Sequence, residues 1–261
     1  MDFAFDDIQL ELKSQARAWL AERYPLDRDW DAPQDDRWAE LTELGWLDVA
    51  EAGLGFVEEA LLLEEMGYAL YPGPYLAHVA GRTEVNGLAF DGECDIVSVD
   101  PTRPLRRATS ASRETPRLRA AMAAEAVGVA QRALELGVEH AKTRQQFGKP
   151  IGVYQAVSHK LADTYADVEL ARSLAYWAAW CVAEENEQAA VAAAAAKAFA
   201  TEAAVAACER SIQVLGGIGF TWEHPLHRLY KRALWLEGFG TRPPELRAEI
   251  ADALLGAPVA V

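Results

Sequence analysis

Positive charge is scarce in this chain. Lysine and arginine together number 25 against 40 aspartates and glutamates, giving a formal net charge of −15 and a pI of about 4.8. Nucleic acid and anionic membranes require a basic face, so general binding to either is not expected, and the acidity is read as serving solubility. Cysteine is scarce as well. Cys94, Cys181 and Cys208 stand far apart, with no CxxC pair and no His/Cys ligand spacing. That spacing argues against a zinc site and predicts free thiols, buried in a reducing cytoplasm. No apolar run reads as long and uniform enough to span a bilayer; the alanine-rich stretch 189–196 is too short, and Lys197 closes it. The opening residues, Met1-Asp-Phe-Ala-Phe-Asp-Asp, lack the basic and apolar regions of a secretory leader, so a cytoplasmic location is expected. No internal repeat is present.

What is there is helix. With 51% hydrophobic and 25% charged residues over 261 positions, the composition suits a globular core. Apolar spacing predicts an amphipathic helix from Asp6 to Arg23 with Asp6 or Asp7 as N-cap, a second over 37–44 stopped by Gly45, and a third over 56–70 stopped by Pro72-Gly-Pro74. Between 81 and 116 the character changes. Turns are marked by Asn86-Gly87 and Asp91-Gly92, and Asp95-Ile-Val-Ser-Val99 leans toward strand, so at most a small hairpin fits. Arg103, Arg106, Arg107 and Arg113 follow in a Pro/Ser/Thr-rich stretch that reads as a mobile, solvated loop. From Arg117 onward helices are expected over 117–143, 154–184, 187–215, 224–234 and 244–255, joined by short loops into a four- to five-helix bundle. The organisation is therefore mainly α: an N-terminal helical domain over 1–80, a vestigial β or loop segment over 81–116, and a C-terminal bundle over 117–256.

Two segments carry chemistry. Thr143-Arg-Gln-Gln-Phe-Gly-Lys-Pro-Ile-Gly-Val-Tyr-Gln155 places an arginine, a ring and an amide at a helix–loop–helix junction. Ile212-Gln-Val-Leu-Gly-Gly-Ile-Gly219 ends a long helix in glycines that bare the backbone. Together they offer a fixed cation, a flat apolar surface, amide donors and free backbone N–H groups, which suit the pyrophosphate and adenine of a dinucleotide. With Trp46-Leu47, Glu64-Glu-Met-Gly-Tyr-Ala-Leu-Tyr-Pro-Gly-Pro74, Gly128-Val-Ala-Gln131 and Tyr230-Lys-Arg-Ala233, they make the chain resemble an acyl-CoA dehydrogenase. The resemblance is strongest from Met122 to Ala233. It implies FAD as cofactor, lying across a subunit interface, with Arg144, Phe147, Gln155, Gln213, Gly216 and Gly217 holding its ADP half. It also implies an acyl-CoA substrate and an electron-transfer flavoprotein as electron acceptor.

The chain departs from that family in two respects. The middle β-domain, which covers the flavin ring, is reduced to 81–116, too little to bury a flavin and a thioester from water. The glutamate that removes the α-proton is also missing from its expected place. In Leu234-Trp-Leu-Glu-Gly-Phe-Gly-Thr241 the family position falls on Phe239 or Gly240, and a second known location falls near Leu118. Glu237 is the only sequence-local candidate base, a weak one, and Glu125 reads as a structural ion-pair partner. The resemblance therefore points to the short subunit of a heteromeric enzyme, of the type that shortens steroid side chains, assembled as an α2β2 heterotetramer with a longer homologue. A self-sufficient homo-oligomer using Glu237 and a non-catalytic helical assembly protein are the alternatives. His224 and His227 share a helix face without a third ligand, so no metal is expected.

Overall fold

The computed structural model describes residues 4–32, 34–81, 83–90, 94–109 and 112–256. The turn expected at Asp91-Gly92 lies outside the described residues. Asp6 caps α1 (Asp7–Arg23): its carboxylate accepts from the Gln9 N–H at 2.8 Å, and the Gln9 amide oxygen accepts in return from the Asp6 N–H. Two otherwise orphaned donors are thereby satisfied. After α2 (Trp38–Glu43) and α3 (Phe56–Ala69) comes a helix the sequence reading missed, α4 (Tyr75–Ala80). Pro72-Gly-Pro74 does stop α3, but Pro74 then stands at the start of a new helix, where its missing N–H costs nothing. The bundle is α5 (Pro116–Thr143), α6 (Gln155–Ala183), α7 (Ala189–Leu215), α8 (Leu226–Gly238) and α9 (Pro243–Leu255). The helix expected over 224–234 runs to Gly238, because burial of Trp235 and Leu236 holds the last turn against its terminal glycine.

Glycine and alanine set how closely the helices approach. At the α3–α5 crossing a Cβ on Gly128 would overlap the backbone carbonyl of Glu64, and one on Gly67 would overlap that of Glu125. The alanines of α7, Ala192, Ala196, Ala200, Ala203 and Ala207 among them, are buried in the same core as Leu20 of α1 and Leu236 of α8. The stretch Ala189–Phe220 is in fact long and apolar enough to cross a membrane, with mean hydropathy 1.4. This corrects the reading of its run length. Of its most apolar window 67% is buried, as befits a helix packed on α5, α6, α8 and α9.

Between the helical parts, β1 (Glu84–Val85), β2 (Leu88–Ala89) and β3 (Arg106–Arg107) form an antiparallel sheet in that order. Asn86 and Gly87, with φ of 51° and 79°, make the expected hairpin turn. The reading of the arginine-rich stretch as a mobile loop fails at Arg103. That side chain is 5% exposed, donates to the Gly73 carbonyl at 2.8 Å and pairs with Glu125. Fully buried Arg232 of α8 pairs with both Asp100 and Glu125, and donates to Thr102 Oγ1 at 2.6 Å and to the Tyr71 carbonyl at 3.2 Å. Burial works to raise the Asp100 carboxyl, but Arg232 and Thr102 overcome it and leave it below its ordinary value. A buried cation must be matched by buried anions, so this cluster ties the β remnant to α5 and α8. Glu125 is the structural ion-pair partner the sequence suggested.

Candidate functional site

Three helix ends meet at one pole of the bundle. Gly137 of α5 faces Ser211 of α7 and Leu161 of α6, where a Cβ would come within 2.8 Å of Ser211 Oγ and 3.2 Å of Leu161 Cδ2. α5 and α7 therefore finish side by side, where α6 begins. Arg144 follows Gly137 by about two turns of helix, and Gly216 follows Ser211 by five residues, so the two segments singled out in the sequence emerge at the same pole.

The first segment is a tight hairpin. The C-cap Arg144 turns the chain out of α5, its N–H still donating to the His140 carbonyl at 2.8 Å, and its own carbonyl accepts from the Ile151 N–H at 2.8 Å. β4 (Gln145–Gln146) pairs with β5 (Lys149–Pro150), and Phe147-Gly148 form the turn at φ of 53° and 77°. Phe147 is thus held in the left-handed region that glycine prefers, with its ring 92% exposed. Tyr154 braces the hairpin by donating to the Gln146 carbonyl at 3.2 Å; no signal in the sequence reading marked it. The Arg144 guanidinium has no hydrogen-bond or ion-pair partner among the described residues. It stands in a chain where Arg17, Arg23, Arg37, Arg117, Arg119 and Arg172 are all paired. Gln155 and Gln213 are exposed, on the first turn of α6 and the last of α7.

In the second segment the glycines divide by cause. Gly216 adopts φ 65° and ψ −135°, open to glycine alone. Gly219 packs against the Ile212 carbonyl, where a Cβ would sit at 2.7 Å. Gly217 has neither reason: its φ is ordinary and a Cβ there would touch nothing within 4 Å. Ile218, Phe220 and Trp222 leave apolar surface exposed beside it, at 43%, 75% and 74%. The pole is also poor in acid. No aspartate or glutamate occurs from His140 to Ala162, a stretch holding Lys142, Arg144, Lys149 and Lys160, and none from Ser211 to Trp222. Burial and Arg144 push His140 below its ordinary pKa, and burial with His140 and His227 does the same to His224, so the turn before α8 closes in on the end of α5.

The positions where a base was sought are filled. Phe239 is 3% exposed, stacked on Trp235 at 4.9 Å and edge-on to Phe90 at 4.9 Å. Gly240 has φ 72°, and a Cβ there would overlap the Glu114 carboxylate, which is enclosed and paired with Lys197 and Arg119. Buried Lys197 also donates to the carbonyls of Phe239 at 2.7 Å and Thr241 at 3.0 Å. Leu118 is fully buried. Glu237 is half-buried on α8; burial raises its carboxyl, Glu202 adds to this, Arg242 opposes it and Glu209 raises it further, so it faces the acidic side of α7. A cleft of about 600 Å³ lies between α1, α3 and α5, walled by Arg17, Tyr68, Arg132 and Leu136 and reaching Glu139 and Pro225. Among the described residues no group of three potential ligands could hold a metal.

A mainly helical fold with this pole belongs to a defined class. Residues 109–242 match the acyl-CoA dehydrogenase C-terminal domain, and the chain is a member of the acyl-CoA dehydrogenase family. Among relatives it is similar to the acyl-CoA dehydrogenase IpdE2 of Mycolicibacterium smegmatis, 33% identical over 235 residues, covering 70% of this chain and 74% of that one. To IpdE2 of Mycobacterium tuberculosis it is 39% identical over 146 residues, 53% of this chain and 44% of that one. The chain spans less than half the length of several curated relatives it matches, 44%, 24% and 36% of them. In fold it is similar to the ChsE4-ChsE5 complex of Mycobacterium tuberculosis, with a TM-score of 0.76 at 22% identity over 99% of this chain and 100% of that one. It is also similar to butyryl-CoA dehydrogenase of Megasphaera elsdenii, with a TM-score of 0.78 at 20% identity over 98% and 100%.

Proposed function

We propose that this chain is one subunit of an FAD-dependent acyl-CoA dehydrogenase, and that its acid-poor pole clamps the ADP half of FAD whose ring is housed by a longer homologue. The observation that carries the reading is Gly217, a glycine without an internal cause, at the same pole as an arginine unpaired among the described residues. A group from outside the chain approaching its backbone would supply that cause. In this reading Arg144 forks onto the pyrophosphate, Phe147 offers its ring to the adenosine, and Gln155 and Gln213 donate amide hydrogen bonds, while Gly216 and Gly217 bare backbone N–H groups. Bound FAD would supply hydride acceptance at its ring during α,β-dehydrogenation of an acyl-CoA thioester, passing electrons on to an electron-transfer flavoprotein.

The base belongs to the partner in this proposal. Phe239, Gly240 and Leu118 offer no carboxylate, and Glu237 looks onto other acids rather than a substrate-sized cavity. A steroid side-chain CoA is the proposed substrate class, and an α2β2 heterotetramer the proposed assembly. Support comes from the similarity to a solved pair described as the Tcur3481-Tcur3483 steroid ACAD, with a TM-score of 0.77 at 22% identity.

The test is co-expression with a longer homologue, followed by flavin absorbance and acyl-CoA turnover. Gly217→Ala should leave the fold intact, since the added methyl meets nothing, yet lower flavin retention at least tenfold. Flavin held equally well by Gly217→Ala and Arg144→Ala would remove the pole from the account. Turnover by the chain alone, lost in Glu237→Gln, would favour the self-sufficient reading. A stable complex that never acquires flavin would leave assembly as the only role.

A further inference from the structure

The β remnant ends in an edge that no described residue completes. Asp95 and Ile96 donate their N–H groups to the Leu105 carbonyl, at 3.0 and 3.1 Å, and Ile96 forms an isolated antiparallel bridge with Leu105. Over the next three residues pairing stops. No backbone N–H or C=O of Val97, Ser98 or Val99 makes a hydrogen bond among the described residues. Exposure still alternates as it does along a strand: Ile96 and Ser98 are half-buried, Val97 is 97% exposed and Val99 45%. A groove of about 130 Å³ runs between this segment and α8, walled by Leu88, Leu105, Leu234 and Phe239. Two side chains that line it, Ser98 and Trp235, each carry a buried polar atom without a partner, the Oγ and the indole Nε1.

Natural edges are guarded by lysine, proline, a bulge or a covering element. This one instead presents two valines. We infer that residues 96–99 are an acceptor edge for strand addition, taking an extended segment from the β-domain of the longer subunit, with one apolar side chain seated in the groove against Trp235 and Phe239. The backbone itself selects a strand: Ile96 faces Leu105, so along an extended segment the N–H and C=O of Val97 and Val99 face the open side, where another extended chain can meet them. The ladders β1–β2 and β2–β3 are two residues long, far short of an independently stable sheet, and an added strand would widen the sheet beyond β3. A second copy is the poorer occupant. Its described strands are also two residues long, and two chains at −15 repel.

The inference rests on the proposed heteromer for the identity of the donor, but not on the nucleotide pole. Hydrogen exchange would be followed in the chain alone and in the complex made by co-expression with the longer homologue. The amides of Val97 and Val99 should exchange at least tenfold more slowly in the complex. A Val97→Lys, Val99→Lys variant should keep the circular dichroism and melting temperature of the isolated chain, yet recover at least tenfold less complex. Equal exchange in both states, or undiminished assembly of the lysine variant, overturns the inference. So does concentration-dependent self-association that the lysines abolish, which would make a second copy the occupant. Arg144→Ala serves as the separating control: lost flavin with intact assembly and intact protection upholds the pole and the edge independently, whereas a colourless wild-type complex with protected amides sinks only the nucleotide reading.

Discussion

Gly240→Ala should destabilise the chain far more than a single methyl suggests. The backbone there has φ 72°, and a side chain in that region costs about 1 kcal/mol or more. The new Cβ would also overlap the Glu114 carboxylate. That carboxylate cannot swing aside cheaply, because it is enclosed and it neutralises buried Lys197 while also pairing with Arg119. Pulling one partner from a buried ion pair costs about 3–5 kcal/mol. Taking the lower figure, the total is about 4 kcal/mol, which for a chain of this size lowers the melting temperature by roughly 10 °C. Urea titration of the assembled protein measures it, the midpoint falling with the slope unchanged. A second background separates the two contributions. In a Glu114→Ala, Lys197→Met variant the space is vacated and the charge removed, so the same Gly240→Ala change should cost only the backbone part, about 1 kcal/mol. A loss below 1 kcal/mol in the wild-type background, or an equal loss in both, would refute the reasoning.

Arg144→Ala should weaken FAD binding to the assembled complex by about 10- to 100-fold, the worth of charge-assisted hydrogen bonds, as read by flavin titration. Raising sodium chloride should weaken wild-type binding in the same assay and affect the alanine variant less. Arg232→Met should cost about 3–5 kcal/mol, because Asp100 loses its cation partner in the core; urea melts of wild type and variant give the difference. Asp100, with an ordinary value of 3.8 and held below it in the fold, contributes stability that is present above its unfolded pKa and is lost as pH falls through the folded one. Unfolding followed below pH 4 should therefore be shallower in Asp100→Asn than in wild type, starting from a lower plateau.

The helices were legible because their evidence is local. Asp6 ahead of an amphipathic run and Gly45 after one act within a turn of their own positions. The pole proposed for the nucleotide was legible for a different reason: its residues lie in two short strings, each with a distinctive order. What the sequence concealed depends on distance along the chain. Arg103 and Arg232 find Glu125 from 22 and 107 positions away, so an arginine that looks like part of a solvated loop is instead buried. Nor could spacing tell the three glycines of Gly216-Gly-Ile-Gly219 apart. Only packing shows that one bends the backbone, one admits a neighbour and one faces open space. α4 was hidden because a proline that ends one helix can also begin the next.

The Glu114–Lys197 pair also bears on what position 240 can hold. A glutamate introduced at 240 would enter volume already taken by another acid. That acid could leave only if Lys197 left too, and Lys197 holds the carbonyls of Phe239 and Thr241 in place. Placing a carboxylate there would need several changes at once, each harmful alone. Three side chains thus share one volume, and what stands at 240 is decided as much by Lys197 as by position 240 itself.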